Sequence, residues 1–140
     1  MRPDQIAHVE RSFRVIAPLG EMAAAIFYER LFTMDPAMHR LFRHADMGEQ
    51  GRKLMAALGF VVNNLREPDR LLPAAAELGR RHAGYGVQPS HYDTVGAALL
   101  DTLAEGLGDG FSPPVRDAWE AAYRLLAGTM QAGAAPARAA

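Results

Sequence analysis

The sequence predicts an all-α protein of one domain with about six to seven helices. Apolar residues recur at intervals of three and four along nearly the whole chain, and strand-type alternation is almost absent. A length of 140 residues fits one domain with a single buried core. Prolines and glycines separate the periodic segments, so we expect short connections between the helices.

Two helices are predicted before residue 36. The first has an apolar stripe formed by Ile6, Val9, Phe13 and Ile16, and it closes at Pro18. The second has an apolar side formed by Met22, Ala25, Ile26 and Phe32. We expect it to stop near Asp35, because the residue before a proline is pushed out of the α region.

The middle of the chain predicts one short and two long helices. Residues 36–42 are typical of a short helix with proline in its first turn, and residues 43–48 form a polar connector. The next helix starts near Glu49, with apolar positions at Leu54, Leu58, Val61, Val62 and Leu65, and Pro68 interrupts it. A further stripe consists of Leu71, Ala75, Leu78 and His82. Pro73 is tolerated there only in a first turn, and Gly84 and Gly86 end the segment.

Two more helices are predicted in the last third. Residues 90–93 suggest a capping box before a ridge formed by Val95, Leu99, Leu103 and Leu107, which Gly108 terminates. Ser112 and Pro113 open a last helix with apolar positions at Val115, Trp119, Ala122, Leu126 and Met130. We place the domain at residues 1–132 and expect residues 133–140 to form a disordered tail.

Four glycines lie inside predicted helices, namely Gly59, Gly79, Gly96 and Gly128. Each should cost up to about 1 kcal/mol relative to alanine. Either these glycines are tolerated imperfections, or backbones approach closely there, at helix crossings or against a flat ligand. Both alternatives stay open at this point.

Composition excludes several function classes. The chain has 15 basic and 16 acidic residues, a balance that argues against binding to nucleic acid or to a membrane surface. Cysteine is absent, which excludes disulfides, thiolate metal sites and cysteine nucleophiles. Neither a secretory signal nor a membrane-spanning run is visible, so we expect a cytoplasmic location.

His82 differs from the other histidines because it ends an apolar stripe and should point inward. His8, His39, His44 and His91 lie beside charged or loop residues and are expected to be solvated. On pattern alone, a lone inward histidine is more often a core residue than a ligand. The chain has no HExxH, no repeated ExxH, no phosphate loop after a strand and no GxSxG. One inward histidine in an apolar helical shell does suit haem, whose porphyrin supplies four iron ligands.

Four strings of residues resemble bacterial haemoglobins and the globin domains of flavohaemoglobins. Residues 27–32 with Pro36 and residues 41–42 are similar to their B and C helices, and residues 79–82 with Gly86 and Val87 to their F helix. Residues 91–100 resemble the G helix and residues 118–127 the H helix. The resemblance extends from the first helix to about Met130. It implies the globin fold, a three-over-three helical sandwich around one haem b (iron protoporphyrin IX).

The resemblance also implies a role for individual residues. His82 becomes the iron ligand, oriented by the Leu78 carbonyl four residues earlier, with Val87 and Tyr92 on the same side. Tyr28 and Gln50 become the polar pair of the gas pocket, and Leu54, one turn beyond Gln50, shapes that pocket. Phe42 becomes the aromatic residue that wedges the porphyrin between the short third helix and the next helix. Lys53 and Arg81 become propionate neighbours, and His44 is the only nearby candidate for a sixth ligand. Where flavohaemoglobins carry a glutamate that supports the histidine, this chain has Ala134. On residue pattern alone, Tyr28 could also be a half-buried core tyrosine.

These residues imply a protein that binds O2 reversibly, and also CO and NO, for storage, transport or sensing. The phenol O–H and the carboxamide N–H can stabilise the negative charge of a bound gas in a dry pocket. The alternative is a nitric oxide dioxygenase, which needs an electron donor. Flavohaemoglobins carry their reductase on the same chain, so we expect this chain to use a separate one. A third interpretation is a haem-free helical interaction module.

Overall fold

Six α-helices and three 3-10 segments make up most of residues 1–135, the part of the chain that this computed structural model describes. The helices are α1 (Pro3–Ile16), α2 (Gly20–Met34), α3 (Met47–Asn63), α4 (Pro68–Gly84), α5 (Pro89–Leu107) and α6 (Pro113–Ala134). The 3-10 segments are Ala17–Leu19, Pro36–Phe42 and Gly108–Gly110. No strand occurs within residues 1–135. The predicted all-α class is confirmed.

Local sequence explains most helix ends. Helices α1, α4, α5 and α6 all begin with proline, whose missing N–H costs nothing in a first turn. Asp46 caps α3, because its carboxylate accepts a hydrogen bond from the Glu49 N–H at 3.1 Å. Gly108 ends α5 with φ of 54°, a conformation that favours glycine. This terminator is the one that the sequence predicted.

Three predicted boundaries are wrong by a few residues. The connector after Phe42 is shorter than expected, because α3 already starts at Met47. Helix α4 starts at Pro68, so Pro73 lies in its second turn and leaves the Asp69 carbonyl without its usual helical donor. Helix α5 starts before Ser90. The predicted capping box is replaced by His91, whose Nδ1 accepts a hydrogen bond from the Gln88 N–H at 2.9 Å.

The buried side of α2 also differs from the prediction. Its buried residues are Ala23, Ala24, Phe27, Tyr28 and Leu31. Met22 is 62% exposed and Ala25 is exposed as well. Helix α2 packs on both α3 and α5 and is apolar on more than one side, so hydrophobic periodicity alone does not identify its inner side.

The helices pair in a pattern that separates α3 from α4. Helix α6 packs on α4, α1 and α5, while α2 packs on α5 and α3. Although α3 and α4 are consecutive, their main partners differ: α3 lies against α2 and α1, and α4 lies against α6. In residues 1–135, none of the helices combines the length and apolarity needed to cross a membrane.

The buried apolar residues form two clusters. The larger core includes Val9, Leu31 and Trp119 and joins all six helices. Helix α4 contributes only Leu71, near its start, to the buried residues of this core. The smaller core consists of Ala75, Tyr92, Ala127 and Met130. Tyr123 and Leu126 on α6 pack against both cores. A domain usually has one contiguous core with smaller satellite clusters, and here α3 contributes to the larger core alone.

Two glycines bring α4 and α6 into backbone contact, which we call the α4–α6 seam (Ala76, Gly79, Met130 and Gly133). A Cβ at Gly79 would overlap the Met130 carbonyl oxygen, and one at Gly133 would overlap the Ala76 carbonyl oxygen. The order of these contacts shows that the two helices run antiparallel. Helix α6 therefore continues to Ala134, two residues beyond the predicted domain end, and residues 136–140 of the predicted tail lie outside the described residues.

The other glycines inside helices divide between the two alternatives. A Cβ at Gly96 would lie 2.7 Å from the Tyr123 ring, so close approach also explains this glycine. Gly59 has only ordinary contacts with Phe13, and Gly128 has no neighbour within 4 Å of its Cβ position. At Gly59 and Gly128, no described residue approaches closely, so helix crossings do not explain these two glycines.

Candidate functional site

The imidazole of His82 is held by its own helix. Its Nδ1 lies 2.8 Å from the Leu78 carbonyl oxygen, the i, i+4 contact that the sequence suggests. A carbonyl can only accept, so Nδ1 carries the proton and Nε2 carries the lone pair. Nε2 forms no hydrogen bond with a described residue, and no fully buried side-chain nitrogen or oxygen in this part of the chain is unpaired. Nε2 therefore reaches accessible space with its lone pair available to a metal.

Tyr28 presents a protonated hydroxyl within the larger core. The residue is only 8% exposed, and burial raises the pKa of its hydroxyl. The Gln50 side chain lies beside the hydroxyl and partly offsets this rise in pKa. Among the described residues, the two side chains do not form a well-aligned hydrogen bond with each other. Both groups therefore keep N–H or O–H donors that can point at a third molecule.

Aromatic rings fix the position of Tyr28. Phe32 stacks on it at 6.0 Å between ring centroids, and Phe42 lies edge-on at 5.4 Å. His39 in turn packs edge-on against Phe32 at 4.5 Å. The sequence did not single out Phe32 or His39 for this role. Tyr28 and Phe32 are four apart on α2, so helical spacing accounts for their contact. The contacts of these rings with His39 and Phe42 join two segments across the turn at Asp35, and spacing does not predict them.

The remaining apolar candidates divide between the two cores. Phe42 and Leu54 are half-buried against the larger core, which contains Tyr28. Leu78 and Val87 are half-buried against the smaller core, which contains Tyr92. The Gly86 backbone approaches the Leu41 side chain, so the turn after His82 adjoins the 3-10 segment that carries Phe42. The candidate residues thus lie in two groups, one on each core.

Tyr92 is fixed by a contact that the sequence did not predict. The Tyr123 hydroxyl donates a hydrogen bond of 2.6 Å to the Tyr92 carbonyl oxygen. Burial, with smaller contributions from Tyr92 and Asp93, raises the pKa of Tyr123, so this donor stays protonated. Burial raises the pKa of the Tyr92 hydroxyl too. Gly96, which admits the Tyr123 ring, was the only sequence signal for this contact.

The charged candidates lie at the surface. Lys53 and Arg81 are both exposed, and Arg81 Nε lies 4.0 Å from the Glu77 carboxylate. His44 is exposed in the connector after Phe42. Ala134 ends α6, one residue past the α4–α6 seam, and the antiparallel course of the seam carries α6 away from His82 in this direction. An alanine offers no hydrogen-bonding group in any case.

These donors fit a haem better than a bare metal ion. Within residues 1–135, no group of three or more His, Asp or Glu side chains could hold an ion. One imidazole nitrogen is sufficient only where a macrocycle provides the other ligands. Half-buried apolar side chains on both cores, including Leu54 and Val87, match the apolar surface of such a macrocycle.

Comparison with known proteins agrees with this geometry. A family model described as Globin matches residues 25–130. The chain belongs to the globin family. Similar proteins include a flavohemoprotein of Bordetella parapertussis, 33% identical over 129 residues. Others are flavohemoproteins of Vibrio cholerae (30% over 126 residues) and Bacillus subtilis (26% over 121 residues).

The matched regions show how much of each protein is shared. The alignments cover 91%, 89% and 85% of this globin but only 32%, 32% and 30% of the respective relatives. The chain therefore spans about a third of the length of the curated relatives that it matches. Its family membership establishes a globin that binds haem. The roles of individual residues and the ligand belong to the proposal that follows.

Proposed function

We propose that this globin binds O2 reversibly, together with CO and NO, and that it serves in oxygen storage, transport or sensing. The observation that carries the proposal is the Tyr28 hydroxyl, buried, protonated and accompanied by Gln50. When bound, haem supplies an iron atom with a coordination position for a diatomic gas. The chain supplies the surroundings that decide how tightly the gas is held.

On one side, His82 is the proposed iron ligand through Nε2. The Leu78 carbonyl fixes the tautomer and ring orientation, and it is a neutral acceptor. A neutral carbonyl polarises the imidazole less than a carboxylate would, so His82 would donate only moderately to the metal. This supports reversible gas binding over peroxide chemistry.

On the other side, Tyr28 and Gln50 are the proposed donors to the gas. A polar gas ligand that gains negative charge accepts their hydrogen bonds, and burial strengthens each bond relative to water. Phe42 and Leu54 exclude water from this pair in the proposed pocket. Lys53 and Arg81 are exposed, and they are the proposed contacts of the propionates.

Replacing His82 by glycine tests the proposal. We expect the purified wild type to show a Soret band that shifts on reduction and on addition of CO. His82→Gly should lose haem or bind it loosely, and added imidazole should restore the spectrum by filling the vacated space. His44→Ala is the matched control and should behave as wild type. Normal haem retention by a folded His82→Gly, judged by circular dichroism, would contradict the ligand assignment.

Nitric oxide dioxygenation is a second candidate, favoured by the similarity to flavohemoproteins. The reaction combines NO, O2 and one electron into nitrate, so turnover requires a reductant. A separate flavin reductase, with NADH, should allow many nitrate molecules to form per haem if this globin is such an enzyme. Nitrate limited to one equivalent per haem, with the reductase active in a positive control, would leave gas binding as the function.

A further inference from the structure

Six cations lie next to the candidate gas site, and we call them the basic rim. They are Arg40, Arg43, Arg52, Lys53, Arg80 and Arg81. All six are exposed. They come from the 3-10 segment that carries Phe42 and the residue that follows it, from the part of α3 that carries Gln50, and from the turn of α4 that carries His82.

Most of the basic rim has no ion-pair partner. Among residues 1–135, the salt bridges include Arg30, Arg66 and Arg116 but none of Arg40, Arg43, Arg52 and Lys53. Arg80 and Arg81 share the single carboxylate of Glu77. Unpaired exposed cations keep their full charge available to a partner.

Asp46 and Glu49, the two acids between Arg43 and Arg52, interact with the start of α3 and with none of the rim cations. Asp46 caps α3 and Glu49 lies in its first turn, where carboxylates offset the positive end of the helix dipole. Across residues 36–53 and 77–87, six cations face three acids, which gives a local charge of 6 − 3 = +3. Because the whole chain carries −1, the remaining residues carry −4.

Helical spacing concentrates the rim beside the site. Residues three apart in a 3-10 helix eclipse each other, and Arg43 follows Arg40 by three. On α3, Lys53 follows Gln50 by three and so lies on a neighbouring part of the helix surface. The contact between Gly86 and Leu41 places the turn after His82 against the same 3-10 segment.

The opposite charge collects on α5 and the first half of α6. Residues 89–123 contain six acids and only one cation, Arg116. Because the whole chain carries −1, its long-range field does not attract an extended polyanion or an anionic membrane. A compact acidic protein meets the rim alone, and the charge separation orients it during approach.

We propose that the basic rim docks an acidic electron-transfer protein that delivers single electrons to the haem. This inference rests on the proposed function, since a gas-binding globin must be kept reduced. Tyr85, 71% exposed and 6.4 Å from the His82 ring between centroids, lies on the short path between such a partner and the iron ligand. In the transfer, the donor's iron–sulfur or flavin centre loses one electron and the ferric globin gains it, with no bond made or broken.

The test uses a reduced plant-type [2Fe–2S] ferredoxin as the probe, an acidic one-electron donor. Arg40→Glu with Arg43→Glu changes the rim without touching residues proposed to contact haem or gas. Arg11→Glu with Arg14→Glu on α1 is the matched control, with the same charge change on exposed residues. Stopped-flow absorbance measures the reduction of the ferric globin, and calorimetry measures ferredoxin binding to it.

At low ionic strength, we expect the rim variant to be reduced about ten-fold more slowly and to bind ferredoxin correspondingly more weakly. The control should stay within about two-fold of wild type. The difference between the rim variant and wild type should vanish near 0.5 M salt, where the Debye length is roughly 4 Å and charges on the two proteins are screened. Equal effects in both variants, or none in the rim variant, would overturn the docking proposal. So would tighter binding of the rim to an oligonucleotide or to anionic vesicles. A chain that takes up no haem defeats the proposed function instead.

Discussion

At the scale of residues, a few buried polar groups carry the chemistry. Burial keeps Tyr28 protonated while rings of Phe32 and Phe42 hold it in place. The Leu78 carbonyl holds His82 in one tautomer. The His82 contact could be predicted from sequence because it is local to one helix turn. The contacts of Tyr28 with Phe42 and of Tyr123 with Tyr92 depend on how separate segments meet, which spacing does not encode.

Tyr28→Phe should speed O2 dissociation, because it removes a donor that is used only when the gas is bound. A hydrogen bond to a charged acceptor contributes about 1.5–3 kcal/mol, so we expect an increase of about ten-fold or more. Flash photolysis or stopped-flow replacement of O2 by CO measures the rate. Tyr85→Phe at the surface should leave it unchanged. An unchanged rate in Tyr28→Phe would move the donor role to Gln50.

Ser12→Ala should destabilise the fold by breaking a buried contact between α1 and α6. The Trp119 Nε1–H donates a hydrogen bond of 2.8 Å to the Ser12 hydroxyl, and both residues are buried. An indole N–H left unpaired costs about 1–3 kcal/mol. Urea unfolding measures the loss. Thr33→Ala removes an exposed hydroxyl that donates a hydrogen bond to the Glu29 carbonyl of the same helix, and it should reduce stability much less. Equal losses of stability in the two variants would contradict a stabilising role for the buried Trp119–Ser12 hydrogen bond.

At the scale of elements, helix identity was easier to predict than helix orientation. The ridge of α5 and its end at Gly108 follow from one-sided periodicity and one glycine. Helix α2 is apolar around much of its circumference, so its inner side depends on its two partner helices. Helix α4 accommodates Pro73 in its second turn, since tertiary packing on α6 stabilises it beyond its local propensity.

Gly79→Ala should weaken the packing of α4 on α6. Its Cβ would overlap the Met130 carbonyl oxygen, which belongs to backbone and cannot rotate away. Overpacking of this kind costs about 1–3 kcal/mol. Gly128→Ala is the matched control, because its Cβ position is open and alanine favours the helix by up to about 1 kcal/mol. Thermal unfolding should therefore shift in opposite directions in the two variants, and a shift in the same direction would contradict the seam.

At the scale of the molecule, two cores and a few long-range ion pairs organise the chain. The division into a larger and a smaller core could not be predicted from sequence, because both cores draw on the same apolar stripes of α5 and α6. Arg66, in the turn after α3, forms two hydrogen bonds with the Glu10 carboxylate on α1, at 3.1 and 2.8 Å. This pair joins residues 56 positions apart.

Arg66→Gln should reduce stability at pH 7 and leave it unchanged in acid. Hydrogen bonding to Arg66 lowers the pKa of Glu10, so the pair contributes above the ordinary glutamate range and is lost as pH falls through the lowered value. Urea midpoints of wild type and variant should differ at pH 7, and the difference should shrink as the pH falls through the lowered pKa of Glu10. Arg124→Gln, an exposed change with no ion pair in the described residues, should show no such dependence. A gap that persists in acid would exclude the carboxylate as its cause.

The backbone contact between α4 and α6 has a consequence for maturation of the protein. Because this contact involves no cofactor atom, the helix that carries His82 is anchored before a prosthetic group arrives. A preset ligand reduces the entropy lost on capture. We therefore expect a freshly synthesised chain to bind hemin first through His82 on α4. The segments that carry Tyr28 and Gln50 should then pack over the other side of the hemin.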